Sequence, residues 1–145
     1  MFNEALSAIS DQLATHLVGH TKDVASHPGR FGEEELSRLL TAKKAVRVAM
    51  ENTQSVSVTG QGIQEAKVLM AAYVICSDAK NLPRHESALA ITESIIEFLP
   101  FNRFGSDRLK PVLPPSIAAE NLYSGEIDRK GIALWGISWE QSIIR

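Results

Sequence analysis

Apolar residues alternate with polar or small ones along the last stretch of the chain, residues 131–145. Ala133, Trp135, Ile137, Trp139 and Ile143 share one parity, the period of a strand with one apolar face. Both tryptophans of the protein lie on that face. The spacing therefore predicts a C-terminal strand that anchors a sheet, with its tryptophans against Leu89, Ile95 or Ile96 of an earlier helix. Upstream the period changes. Leu6, Ile9, Leu13 and Leu17 recur at three and four residues, the stripe of an amphipathic helix, and Asn3 stands where a cap could accept from a free backbone N–H. Gly19 weakens the end of that helix, and His27-Pro28-Gly29 reads as a turn. Glu33, Glu34 and Glu35 open a short second helix with Leu36, Leu39 and Leu40, since acidic residues suit the positive end of a helix dipole.

Residues 45–50 alternate again, with Val46, Val48 and Met50 on one face of a strand. Residues 51–64 are polar, hold Gly60 and Gly62, and predict a projecting hairpin arm. Val56 and Val58 within the arm suggest a strand that continues past a bulge. Residues 66–77 are apolar on both faces, as a central, doubly covered strand would be. Pro83 suits the first turn of the next helix, whose predicted buried stripe is Ala88, Leu89, Thr92, Ile95, Ile96 and Leu99, with Pro100 as its stop. Pro111, Pro114 and Pro115 keep residues 101–116 irregular. A strand over 117–123 and a polar turn through Gly125 and Asp128 lead into the terminal strand. The order α-α-β-β-α-β-β is that of an α+β protein. Its expected architecture is a mixed, mainly antiparallel sheet of about four strands with helices packed on one face, in a single domain over residues 1–145.

Composition narrows the function classes. The chain has 145 residues, 44% hydrophobic and 22% charged, with a net charge of −2, so no global field draws it to nucleic acid or to anionic lipid. The single cysteine, Cys76, excludes an internal disulfide and fits a reducing compartment. The N-terminus lacks the basic and apolar regions of a signal peptide. The longest apolar run, residues 68–76, is too short to span a bilayer. A soluble, intracellular protein with no membrane or nucleic-acid partner is expected.

Candidate chemistry is sparse. His16, His20, Asp23 and His27 have a spacing that could gather metal ligands near a helix end. No glutamate follows His16 in the arrangement that would supply a base, and the plainer role is a solvated helix end whose histidines complement the dipole. Cys76 sits in the most apolar strand, where a thiol is a small core residue. Thr59-Gly60-Gln61-Gly62 lacks the Lys-Ser/Thr and the helix start of a phosphate loop. Arg103, Arg108 and Lys110 flank Phe101 and Phe104, a basic–aromatic loop suited to a partner contact. No catalytic group and no cofactor are predicted.

Several short stretches together resemble the Mu-like prophage tail proteins of the tail-terminator type. They are Pro28-Gly29-Arg30-Phe31, the acidic helix at 33–40, Ala45-Val46-Arg47-Val48, Pro114-Pro115-Ser116-Ile117, Asn121-Leu122-Tyr123 and Gly131-Ile132-Ala133-Leu134-Trp135. The similarity extends over nearly the whole chain, and the polar arm at 51–64 departs from it. The resemblance implies a structural, non-enzymatic α+β protein that forms a ring, commonly six-fold, on the end of the phage tail tube. Such a ring stops tube polymerisation and helps to join head and tail. Its implied partners are copies of itself, the tube protein and head–tail connector proteins. It would assemble in the bacterial cytoplasm and end in the virion tail. Another minor tail or head–tail joining protein of the same fold is the nearest alternative, and a small metal-dependent enzyme using the histidine cluster is the remote one. Val56, Val58, Phe101, Arg103, Phe104 and Arg108 are the residues expected to make subunit or partner contacts.

Overall fold

The computed structural model describes residues 1–29, 35, 38 and 43–145. Five strands form one mixed sheet in the order β1-β2-β3-β5-β4. They are β1 (Val24–Ser26), β2 (Lys44–Thr59), β3 (Gly62–Ser77), β4 (Ala118–Asn121) and β5 (Ile132–Ile144). β1 runs parallel to β2, and every other pairing is antiparallel. α1 (Phe2–His16), α2 (Arg84–Phe98) and the short α3 (Gly125–Arg129) complete the α+β fold, with a 3₁₀ turn at Pro114–Ser116.

Strand parity separates the two faces of the sheet. Val46 and Val48 of β2, the even residues of β3 from Ala66 to Cys76, and Ala133, Ile137, Trp139 and Ile143 of β5 face one way. They meet Ile9, Leu13 and Leu17 of the first helical segment and Ala88, Ile91, Ile95 and Leu99 of the second. On the opposite face Tyr73, Leu122 and Ile127 pack over Ala45, Ile75, Ile132 and Leu134 at one end, while residues 51–59 of β2 are exposed. Antiparallel strands tolerate a solvated face in this way.

The C-terminal strand is as its alternation predicts, and both tryptophans point to the helices. Trp139 is fully buried, whereas Trp135 is half-buried at the margin of the core. Leu89 does not touch either one from inside the core, because it is half-exposed. The buried stripe of α2 runs through Ala88, Ile91, Thr92 and Ile95, and a residue one step from Ala88 is turned about 100° away from that stripe. α1 also starts earlier than expected. Met1 is its N-cap and no side chain caps it, so Asn3 lies inside the first turn.

The strand count was underestimated by one. β1 spans three residues, too few to show a period, and the chain pins it to β2 through Val46 N–H to Asp23 O at 2.9 Å and His27 N–H to Val48 O at 2.8 Å. The polar turn near Gly125 proves to be α3, begun by Ser124, whose hydroxyl accepts from Ile127 N–H at 3.1 Å. Of the predicted helix over 33–40 only Glu35 and Arg38 are among the described residues, and both are helical. The arm is continuous strand: β2 and β3 pair from Lys44 with Cys76 out to Thr59 with Gly62, and the register shifts at three places between Met50 and Val58. β5 runs beside β3 as far as Glu65, so only the tip is a bare two-stranded ribbon.

At the sheet end opposite the arm, one guanidinium ties three segments. Arg84 contacts Asp78 at 2.9 Å and Asp128 at 2.8 Å. Hydrogen bonds from Arg84, led by its backbone N–H, hold the Asp78 carboxyl below the usual carboxylate range. A lowered folded pKa stabilises above the unfolded value and ceases to do so as pH falls through the folded one. Arg84→Gln keeps that backbone N–H and removes the charge, so it should flatten only the side-chain part of the loss of stability below about pH 4, which urea midpoints measured across that range would show.

Candidate functional site

The four residues of the possible metal cluster go to four different places. His16 stacks on Phe98, with ring centroids 4.1 Å apart and planes 7° from parallel, and its Nε2 lies 3.0 Å from Ser94 Oγ. His27 is buried, accepts the Gly29 N–H at Nδ1 and pairs through Nε2 with Glu35 at 2.7 Å. Asp23 pairs with Arg47 at 2.8 Å, while His20 is exposed. Among the described residues, no three His, Cys, Asp or Glu side chains are grouped so as to hold an ion. The end of α1, the turn at residues 17–20 and β1 separate the four side chains.

Cys76 is fully buried among the core strands, and burial pushes its thiol up to about 11. A thiol that is both inaccessible and protonated at neutral pH is a poor nucleophile. Native protein should react with a thiol reagent far more slowly than the urea-unfolded chain does; comparable rates would show that β3 opens readily.

What the surface offers is backbone and apolar side chains. All residues of β2 from Glu51 to Thr59 are exposed, and among the described residues no strand pairs with β2 on its outer side beyond Val48. Such an edge presents unpaired N–H and C=O groups that another strand can use. Val56 and Val58 lie on this stretch at 45% and 66% exposure. Edges are commonly protected by Lys or Pro; residues 52–64 contain neither, and no charge at all.

Across the sheet, the loop from Phe101 to Leu113 closes the outer edge of β5. Lys110 N–H donates to Ser142 O at 3.0 Å, Ile144 N–H donates to Arg108 O at 2.7 Å, and Leu109 is bridged to Ile143. Phe101 and Phe104 both adopt positive φ, at 61° and 51°, a region costly for bulky residues. The two left-handed turns send the rings apart. Phe101 is 66% exposed, and Phe104 is 2% exposed, stacked 6.3 Å from Trp139 and edge-on to Phe98 at 6.1 Å. Phe104 is thus a core residue and not a surface contact. Asn102 sets this geometry: its Oδ1 accepts the Phe104 N–H at 2.7 Å and its Nδ2 donates to Phe98 O at 2.9 Å. Arg103 is partly spent on the loop, donating from Nε to Leu109 O at 2.9 Å. Arg108 stays exposed.

Outside this loop lies an apolar groove of about 780 Å³, lined by Phe101, Pro111, Leu113, Pro114 and Pro115. Leu113, at 63% exposure, was not among the expected contact residues. Its signal was present in the uncharged run 111–119. The groove reaches Lys67 and Lys110, whose ammonium groups pair with Glu140 and Glu65. Farther along the open face, Tyr73 donates to Glu51, and burial together with that bond holds the phenol well above the usual tyrosine range. Among the described residues, no helix is long and apolar enough to cross a membrane.

No protein-family profile and no curated protein sequence matches the chain. Its fold, however, is that of a solved structure, a chain in the virion of a native gene transfer agent particle. The two superpose with a TM-score of 0.60 at 13% identity, over 97% of this chain and 94% of the other.

Proposed function

We propose that the protein is a structural, non-enzymatic subunit of a phage-type virion that closes into a ring at the end of the tail tube, ends tube polymerisation and helps to join the head. The observation that carries this reading is the match of nearly the whole fold to a virion chain, which agrees with the tail-terminator resemblance in the sequence. Two surface features support it. The uncharged strand edge at 52–59 and the apolar groove beside Phe101 and Leu113 are features of a subunit interface rather than of a catalytic cleft. On this reading the partners are copies of the chain, the tube protein and a connector, and the protein works in the host cytoplasm and then in the virion tail. Fold leaves the position in the particle open, so the test must read position. Purified protein is added to growing tail tubes, and electron microscopy records tube length and the tube end. A ring at one end with tubes of fixed length is expected. Binding along the tube wall, or tubes that keep growing, would overturn the reading.

A further inference from the structure

The groove and the bare strand edge lie at one height on opposite sides of the sheet. Val56 pairs with Ala66, Ala66 with Ile143, and Ile143 with Leu109, so a single row of partners crosses from the edge of β2 to the loop that carries the groove. A neighbour set beside the molecule at the same height therefore brings its own residues 52–59 toward this groove. Charge selects the same match. Residues 52–64 and 111–119 are long uncharged stretches at the surface, whereas the uncharged runs 68–77 and 131–139 are mostly buried core strand. The cations that flank the groove are already paired within their own copy. An uncharged strand can settle there without burying a lone charge, whereas a charged one could not.

We propose that residues 52–59 of one copy seat in the groove walled by Phe101, Pro111, Leu113 and Pro114 of the next, with Val56 and Val58 against Phe101 and Leu113. This rests on the ring reading and specifies its subunit contact. Each copy offers one edge and one groove, so the contact is heterologous and repeats from copy to copy. Eight residues of strand span only about 26 Å. One such contact is small for a stable pair, and the ring gains its stability from closure and from the tube beneath it.

Cysteine cross-linking tests the contact, because the native thiol of Cys76 is buried. Val58→Cys and Leu113→Cys are both exposed replacements that leave the core untouched. Oxidising an equal mixture of the two single variants should give a cross-linked dimer that neither variant gives alone, and the double variant should give a ladder. A dimer from Val58→Cys alone would reveal edge-to-edge pairing and overturn the proposal, as would the absence of any cross-link, including in rings that still form on tubes. A ladder that never closes would instead overturn the ring and leave the contact standing. Val58→Glu should weaken self-association about tenfold or more, and Leu113→Lys in the partner should recover part of that loss.

Discussion

Replacing Trp139 with alanine is expected to remove about 3–5 kcal/mol of stability, the largest loss from any single side chain of the sheet. Trp139 is fully buried and stacks on Phe104, which in turn meets Phe98. The substitution therefore opens a cavity where β5, the 101–113 loop and α2 converge. A second cost follows from its hydrogen bond. Trp139 Nε1–H donates to Gln141 Oε1 at 3.0 Å, and Gln141 is itself buried at 1% exposure, so truncation leaves an amide oxygen without a donor. Trp139→Phe should isolate that cost, at about 1–3 kcal/mol, since most of the volume is kept. Trp135→Ala should cost about 2 kcal/mol because its side chain is already half outside the core. Urea unfolding of the three variants checks the order. If Trp135→Ala proved as damaging as Trp139→Ala, the core would be centred elsewhere than the structure places it.

The difference between the two tryptophans marks how far periodicity carries. Alternation identified the strand and the shared face, because it is a local property of thirteen residues in β5. Depth on that face depends on what lies above each position, and α2 and Phe104 arrive from elsewhere in the chain. Leu89 failed for a related reason. Its spacing from Ile96 fits a helical stripe, but the true stripe is fixed by Ile91, one position that the chosen phase omitted. β1 escaped notice because three residues carry no period, and Phe104 because a left-handed turn reverses the direction that a loop aromatic is expected to take. On the functional side, the uncharged residues 52–64 and the aromatic loop were visible as composition. Their common height was not, since it emerges only from three non-local pairings that no short stretch of sequence encodes. The histidine spacing shows the converse limit, because a helix end, a turn and a strand separate residues that lie close in number.

Replacing Val56 and Val58 together with glutamate should abolish capping of tail tubes while leaving a folded protein. Both side chains are exposed, at 45% and 66%. The backbone ladders of β2 with β3 and of β3 with β5 are unchanged by the substitutions, so the core strands keep their partners and the helices keep their floor. Unfolding midpoints should then move by about 1 kcal/mol or less. The association loss is of another order, since two charges would be buried without partners in every repeated contact, and closed rings fail when their repeated contact is lost. Tube length in the presence of the double variant is the decisive reading: uncapped, overgrown tubes are expected, with circular dichroism and the urea midpoint close to those of the unaltered protein. Rings and fixed tube lengths from the well-folded double variant would show that this edge takes no part in assembly. The subunit contact would then have to be sought elsewhere, for example on the open face of the sheet around Leu69, Tyr73 and Ser138, where a shallow trough of about 410 Å³ lies.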